Sequence, residues 1–440
     1  MPSKCVLILL DGLGDRSYEQ LMHQTPLQAA RTPALDYLAE MGASGLYHAS
    51  LVGQALPSEN AHFAMFGYEK DEFPGRGALE ALGAGIDLNP EDVAVLAHFV
   101  SVRESKGSLV LVQDRPAASE DETLALIDAV EAHEEAGVNV RFVRTQKMDG
   151  IIMLQGNVAP FVTDSDPIRK GAPLVEIKPW TDYRLDIASC NTARALKAYL
   201  IDSYRKLKNH PVNKLRAKKG LPPVNAIATQ RAGRLKTVVP FARKYGLRGL
   251  SIASSFVYWG LAAYIGLDCR KAADTKDPGK DIARRLVIAR KALNTYDFIH
   301  VHTKAPDEAA HSKDPVAKKL VIESLDRGIG EAIGPLMNDP EVLIIVTADH
   351  CTPSEEPLIH SGETVPLTFF GRGIRRDRVN QFDEISAANG ALGCLRGKEL
   401  TYLILNHLER AKLHGIMDTP DDQPFWPGHY EPFRIEQDRK

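Results

Sequence analysis

Short apolar runs punctuate the chain at residues 5–10, 109–112, 151–154, 249–253, 298–302 and 342–347. None alternates strictly between apolar and polar, which is the pattern of strands covered on both faces, as in a parallel sheet. Between them, periodic stretches predict helices at 32–41, 120–136, 191–208, 280–293 and 315–333. The first begins Thr32-Pro33, a capping residue ahead of a proline whose fixed φ suits a first helical turn. Strand–helix alternation of this kind predicts an α/β fold with a mainly parallel sheet. Residues 249–267 carry no charge and approach membrane-spanning length. Ser251, Ser254, Ser255, Gly260 and Gly266 interrupt them, so they read as a buried strand followed by a helix, with no membrane span.

The residues just past several of these runs are of types that bind metals. Residues 5–10 lead into Asp11-Gly12-Leu13-Gly14-Asp15. Ligands in open α/β sheets bind beyond the carboxyl ends of strands, and glycines let a backbone turn sharply there. Residues 298–302 lead into Lys304, Asp307 and His311. Four residues apart on a helix, Asp307 and His311 share one face. Residues 341–346 lead into Asp349-His350, and His360 follows in a loop. Adjacent Asp and His side chains meet one ion only if the chain leaves strand geometry there; the Thr352-Pro353 beyond them supports such a turn. Three aspartates and three histidines make an oxygen–nitrogen set suited to Mn2+ or Zn2+, or to Mg2+, rather than to thiolate-selected metals. Paired divalent ions about 4 Å apart serve phosphoryl transfer. Ser58, after Pro57 and at the head of a helical stretch, is the best hydroxyl nucleophile, because a helix N-terminus favours phosphoryl charge.

Composition narrows the partners. The 440 residues are 44% hydrophobic and 25% charged, with 54 Lys and Arg against 57 Asp and Glu. This excludes collagenous, disordered and disulfide-stapled chains, and the near-neutral balance gives no general attraction to nucleic acid. Arg205, Lys206, Lys208, Lys214, Arg216, Lys218 and Lys219 form a basic stretch without interleaved aromatics, which reads as a solvated helix face. The five cysteines, at positions 5, 190, 269, 351 and 394, are odd in number and lack metal-site spacing. Free thiols in a reducing, cytoplasmic setting are expected.

The motifs LILLDGLGDR, TPLQAARTPALDYLAEMGASG, PSENAHFAMFGY, FPGRGALEALGAGIDL, NHPVNKLR, HTKAPDEAAH and TADHCTPSEEPLIHSGETVPL run in this order from Leu7 to about Leu367. Together they resemble the archaeal-type cofactor-independent phosphoglycerate mutases, within the alkaline-phosphatase-like metalloenzyme superfamily. The resemblance implies a phosphatase-like core formed by 1–94 and 225–440, with a smaller α/β substrate-binding domain inserted at 95–224. It implies that Asp307, His311 and His360 hold one divalent ion and that Asp11, Ser58, Asp349 and His350 hold a second. Ser58 would accept the phosphoryl group and return it to the other hydroxyl of a small phosphorylated acid. Lys304 would stabilise the transferring oxygens, and Arg76, Arg115, Asp164, Asp166 and Arg231 would face the substrate. The family's Gly-Ser-Asp is Pro57-Ser58-Glu59 here, and its Arg-x-Asn-Phe is Leu96-Ala97-His98-Phe99. Several inserted-domain arginines are absent or displaced. Each is a charged donor worth about 1.5–3 kcal/mol, so a metal-dependent phosphatase, or a phosphotransferase for a different small acid, is the alternative expectation.

Overall fold

Eight strands form the larger sheet, in the order Asp268–Lys271, Gly249–Ala253, Phe298–Thr303, Lys4–Leu10, Val342–Thr347, Val365–Phe370, Ala43–His48 and Gly393–Arg396. This is a computed structural model that describes residues 1–355, 358–428 and 430–435. Among the described strands of this sheet, only Val365–Phe370 runs against the others, so the mainly parallel α/β architecture is present. Lys4–Leu10 lies between two parallel neighbours, Phe298–Thr303 and Val342–Thr347. Residues 5–10 are all buried, which explains their unbroken apolar character. Each such aliphatic side chain contributes about 1.5–3 kcal/mol of burial.

The chain divides into two compact units, one of 1–73, 238–255 and 262–440, and the other of 74–237 and 256–261. The second unit contains a sheet in the order Ser108–Asp114, Val93–Ser105, Asp149–Gln155, Val138–Gln146 and Ala132–Glu135, with Ala226–Gly233 also paired to Val93–Ser105. All of these pairings are antiparallel. The apolar runs at 109–112 and 151–154 therefore belong to an antiparallel sheet, not to the parallel one. For 151–154 the lack of alternation has a simple cause, because the middle of this sheet is covered on both faces. Val93, Val95, Ala97 and Phe99 join one core with Leu196 and Tyr199 of the helix Ile187–Lys208. Ala94, Ile151 and Met153 join another with Ala78 and Ala81 of the helix Arg76–Gly83.

Two local expectations are corrected. The helix expected over 120–136 ends at Asp128, and Ala132–Glu135 is a strand. Ala136 and Gly137 both have positive φ and close a two-residue hairpin that pairs Glu135 with Val138, the turn that matches strand twist. Sheet pairing here overrides the helix propensity of Ala and Glu. In the basic stretch, Arg216 is buried rather than solvated. It donates to Glu122 Oε2 at 2.8 Å and to the carbonyls of Pro222 and Ala117, each at 2.9 Å. The uncharged segment resolves into the strand Gly249–Ala253 and the helix Phe256–Tyr264. No helix among the described residues is long and apolar enough to cross a membrane.

Gly77 shows how the helix Arg76–Gly83 reaches the sheet. A Cβ there would lie 2.1 Å from the Ala94 carbonyl oxygen and 3.0 Å from that of Arg231. Gly77→Ala should therefore lower stability by about 1–3 kcal/mol, the cost of overpacking, read as a reduced thermal unfolding midpoint. An unchanged midpoint would contradict this close packing.

Candidate metal centre

Three aspartates converge because three neighbouring strands end together. Leu10 pairs with Thr303 and Leu9 with Thr347, so Asp11, Asp307 and Asp349 leave adjacent strands spaced about 4.8 Å apart. The chain departs from strand geometry after Thr347, which lets Asp349 and His350 face one point. The helix Ala305–His311 sets Asp307 and His311 on one face, with His311 Nε2 3.3 Å from Asp307 Oδ1. His360 Nε2 lies 3.5 Å from the same oxygen.

His350 joins the two groups. Its Nε2 lies 3.5 Å from Asp11 Oδ1 and 3.2 Å from Asp349 Oδ2, and its ring stacks on His360 with centroids 3.9 Å apart. Ser58 is the first residue of the helix Ser58–Met65, with Pro57 at the cap position. Its hydroxyl does not cap the helix but shares a 2.9 Å hydrogen bond with His350 Nε2. The expected set of Asp11, Ser58, Asp307, His311, Asp349, His350 and His360 is thus assembled in one unit. Lys304 Nζ stands 3.7 Å from Asp307 Oδ2.

The buried charges press on one another. Burial, followed by the Asp349 and Asp307 carboxylates, pushes Asp11 up to about 6. Burial also opposes ionisation of Asp349, yet His350 and His62 hold that carboxyl well below the usual range. Asp307 is likewise held low against burial by its hydrogen bonds to His311 and His360 and by Lys304. Among the described residues, Asp307 Oδ2 and Asp349 Oδ2 are buried and accept no hydrogen bond. Closely packed carboxylates disfavour one another's ionised forms, and a bound cation would relieve that cost. The oxygen and imidazole donors fit hard or borderline divalent ions.

Three supporting residues escaped the sequence reading. His62 follows Ser58 by one helical turn, and its Nδ1 lies 2.8 Å from the Ser58 carbonyl oxygen and 3.3 Å from Asp349 Oδ2. His302 Nε2 lies 3.0 Å from Asp11 Oδ2. Thr352 Oγ1 donates to Asp307 Oδ1 at 2.8 Å. The available signal was the pair His300 and His302, two apart on one face of an otherwise apolar strand. Ligand-type atoms of Asp11, His62 and His302 lie within 4.8 Å of one another, as do those of Asp307, His350 and His360, and of Asp11, Asp349 and His350.

The expected substrate residues lie in the other unit. Arg115 donates to Asp149 Oδ1 at 2.6 Å and to Asp114 Oδ2 at 2.5 Å. His98, buried, links Asp114 at 2.9 Å to Asp166 at 3.5 Å. Asp166 also accepts from Gln230, and Asp164 Oδ1 accepts from the Arg231 backbone N–H at 2.6 Å. Arg76 donates to Glu80 at 2.7 Å. Arg115 and Asp166 are therefore linked through Asp114 and His98, whereas Asp164 meets Arg231 through the Arg231 backbone.

A family model described as 2,3-bisphosphoglycerate-independent phosphoglycerate mutase matches residues 39–213. The chain is 39% identical over 421 residues to 2,3-bisphosphoglycerate-independent phosphoglycerate mutase 2 of Methanocaldococcus jannaschii, covering 94% of this chain and 95% of that protein. It is 36% identical over 420 residues to the like-named protein of Methanopyrus kandleri, covering 94% and 98%. Among solved structures, the PH0037 protein from Pyrococcus horikoshii aligns with a TM-score of 0.77 at 27% identity, over 94% of this chain and 100% of that one. The cofactor-independent phosphoglycerate mutase from Thermoplasma acidophilum aligns with a TM-score of 0.61 at 28% identity, over 92% and 100%.

Glu384 supports the Asp15 turn near the centre. It accepts from Asp15 N at 3.2 Å and from Thr25 Oγ1 at 2.8 Å, and burial pushes its carboxyl up to about 7. The folded chain keeps this proton to about pH 7, while an unfolded chain releases it near 4.5. The folded state then binds more protons across that window, so stability falls as pH rises through it. Glu384→Gln should flatten the slope of unfolding free energy against pH between about 5 and 7, measured by denaturant titration. An unchanged slope would contradict this role.

Proposed function

The chain belongs to the 2,3-bisphosphoglycerate-independent phosphoglycerate mutase family, and on that premise we propose that it interconverts 3- and 2-phosphoglycerate through a phosphorylated Ser58. The observation that carries the reading is the placement of Ser58 Oγ, at a helix start and 2.9 Å from His350 Nε2, among three buried carboxylates. Asp307, His311 and His360 would hold one ion, and Asp11, Ser58, Asp349 and His350 the other; Mn2+, Zn2+ and Mg2+ suit the donors. Two such ions would supply charge for the entering and leaving oxygens and lower the serine hydroxyl's pKa.

Ser58 Oγ gives up its proton and attacks the substrate phosphorus, and the bond from phosphorus to the glycerate oxygen breaks as that oxygen takes up a proton. Glycerate stays bound and turns, its other hydroxyl gives up its proton and attacks the phosphoserine, and Ser58 Oγ leaves and is reprotonated. The phosphoryl group is conserved and no water is consumed. The amides at the start of Ser58–Met65 favour the transferring charge, and Lys304 balances its oxygens. His62 and His302 orient Asp349 and Asp11, as outer-shell imidazoles do for ligating groups. Arg76, Arg115 and Arg231, with Asp164 and Asp166, are the residues of the smaller unit that this reading would assign to the substrate. A cytoplasmic setting suits the five free thiols.

Incubation with 3-phosphoglycerate and Mn2+ should yield 2-phosphoglycerate without free phosphate, followed by phosphorus NMR. Phosphate release without isomer formation would favour a phosphatase. Ser58→Ala should lower turnover by about 10³-fold or more, and retained turnover would rule out the phosphoserine route. Chelation should abolish activity and added Mn2+ should restore it; activity that survives exhaustive chelation would contradict ion dependence.

A further inference from the structure

We propose that Lys318, on the helix Pro315–Ala332, is a positioning residue that fixes the ion-ligand loops to one another from beneath. The inference rests on the reading of Asp11, Asp307, Asp349 and His350 as ion ligands. No motif in the sequence marks this lysine, and its side chain is fully buried. Its ammonium has three protons and three acceptors. Nζ donates to the Gly14 carbonyl, to Asp15 Oδ2 and to the Thr352 carbonyl, each at 2.9 Å.

The two carbonyls belong to different ligand-bearing loops. Gly14 lies three residues after Asp11, and Thr352 two residues after His350. The same loops also meet directly, because Thr352 N donates to the Gly14 carbonyl at 3.0 Å. Thr352 then carries the constraint onward, since its hydroxyl donates to Asp307 Oδ1 at 2.8 Å and lies 3.1 Å from His350 Nδ1. One buried ammonium thereby restrains all three strand-end loops that supply aspartates.

Asp15 is the counter-charge. It also accepts from Ser354 Oγ at 2.6 Å, from Tyr18 O–H at 2.5 Å and from Arg16 N at 2.7 Å. A buried ion pair is a poor source of net stability, whereas its fixed donors are well suited to holding loop carbonyls in one arrangement. That cost is intelligible if the return is geometry at the ion ligands.

Lys318→Met alone would leave the Asp15 charge buried without its partner, so the informative pair is Asp15→Asn and Asp15→Asn/Lys318→Met. Both are stripped of metal, checked for folding by thermal unfolding, and titrated with Mn2+ by calorimetry beside the wild type. Asp15→Asn keeps the lysine on both carbonyls and should hold Mn2+ within about threefold of wild type, while the double variant should bind about tenfold or more weakly. Saturating Mn2+ should return the double variant's kcat to within about threefold of that of Asp15→Asn, with KM little changed. A folded double variant with wild-type Mn2+ affinity overturns the inference and leaves the ligand reading standing. A wild type that takes up no Mn2+ overturns the ligand reading itself, and this inference with it.

Discussion

Asp11, Asp307 and Asp349 are buried side by side at the ends of three neighbouring parallel strands, and the electrostatic cost of that arrangement is the constraint on which the centre depends. Burial, and then mutual repulsion, push Asp11 up to about 6, while histidines hold the other two low. The fold manages the conflict with imidazoles. His350 sits between Asp11 and Asp349, His311 and His360 meet Asp307, and His62 and His302 lie behind. Divalent ions would complete the balance. A nearly neutral chain could then process an anionic substrate, because such ions would supply positive charge that its composition does not include.

The surrounding architecture serves this convergence. Only parallel neighbours bring strand ends to one edge, and only short, sharply turning loops keep the side chains there. The Asp11 loop turns at Gly12, where φ is +66° and an added Cβ would lie 2.7 Å from the Asp307 Cβ. The Asp349 side chain is held by Gly12 N, which donates to its Oδ1 at 3.0 Å. Beneath them, Lys318 and Asp15 form a second, oppositely arranged pair of charges. The centre therefore has carboxylates in excess above and a compensated ammonium below.

Much of this was legible in the chain itself. Strands that end one to four residues before Asp11, Asp349 and Asp307 announced the site, because apolar runs mark strands and the residues just past a buried strand lie at the sheet edge. The Asp307–His311 spacing was readable as one helix face. His62, His302 and Lys318 were not readable in the same way. Each sits in an ordinary helix or strand, and its role depends on at least one partner hundreds of residues distant. The smaller unit was less legible for another reason. Covering the middle of its sheet on both faces erased the alternation that identifies antiparallel strands there, and the Ala136-Gly137 hairpin captured residues with helical propensity.

The most direct test of the paired-ion centre is anomalous diffraction from crystals of the wild-type chain soaked with Mn2+. Two peaks are expected, one among Asp307, His311 and His360 and one among Asp11, Ser58, Asp349 and His350. A single peak elsewhere in the chain, or no peak at the three aspartates, would contradict such a centre.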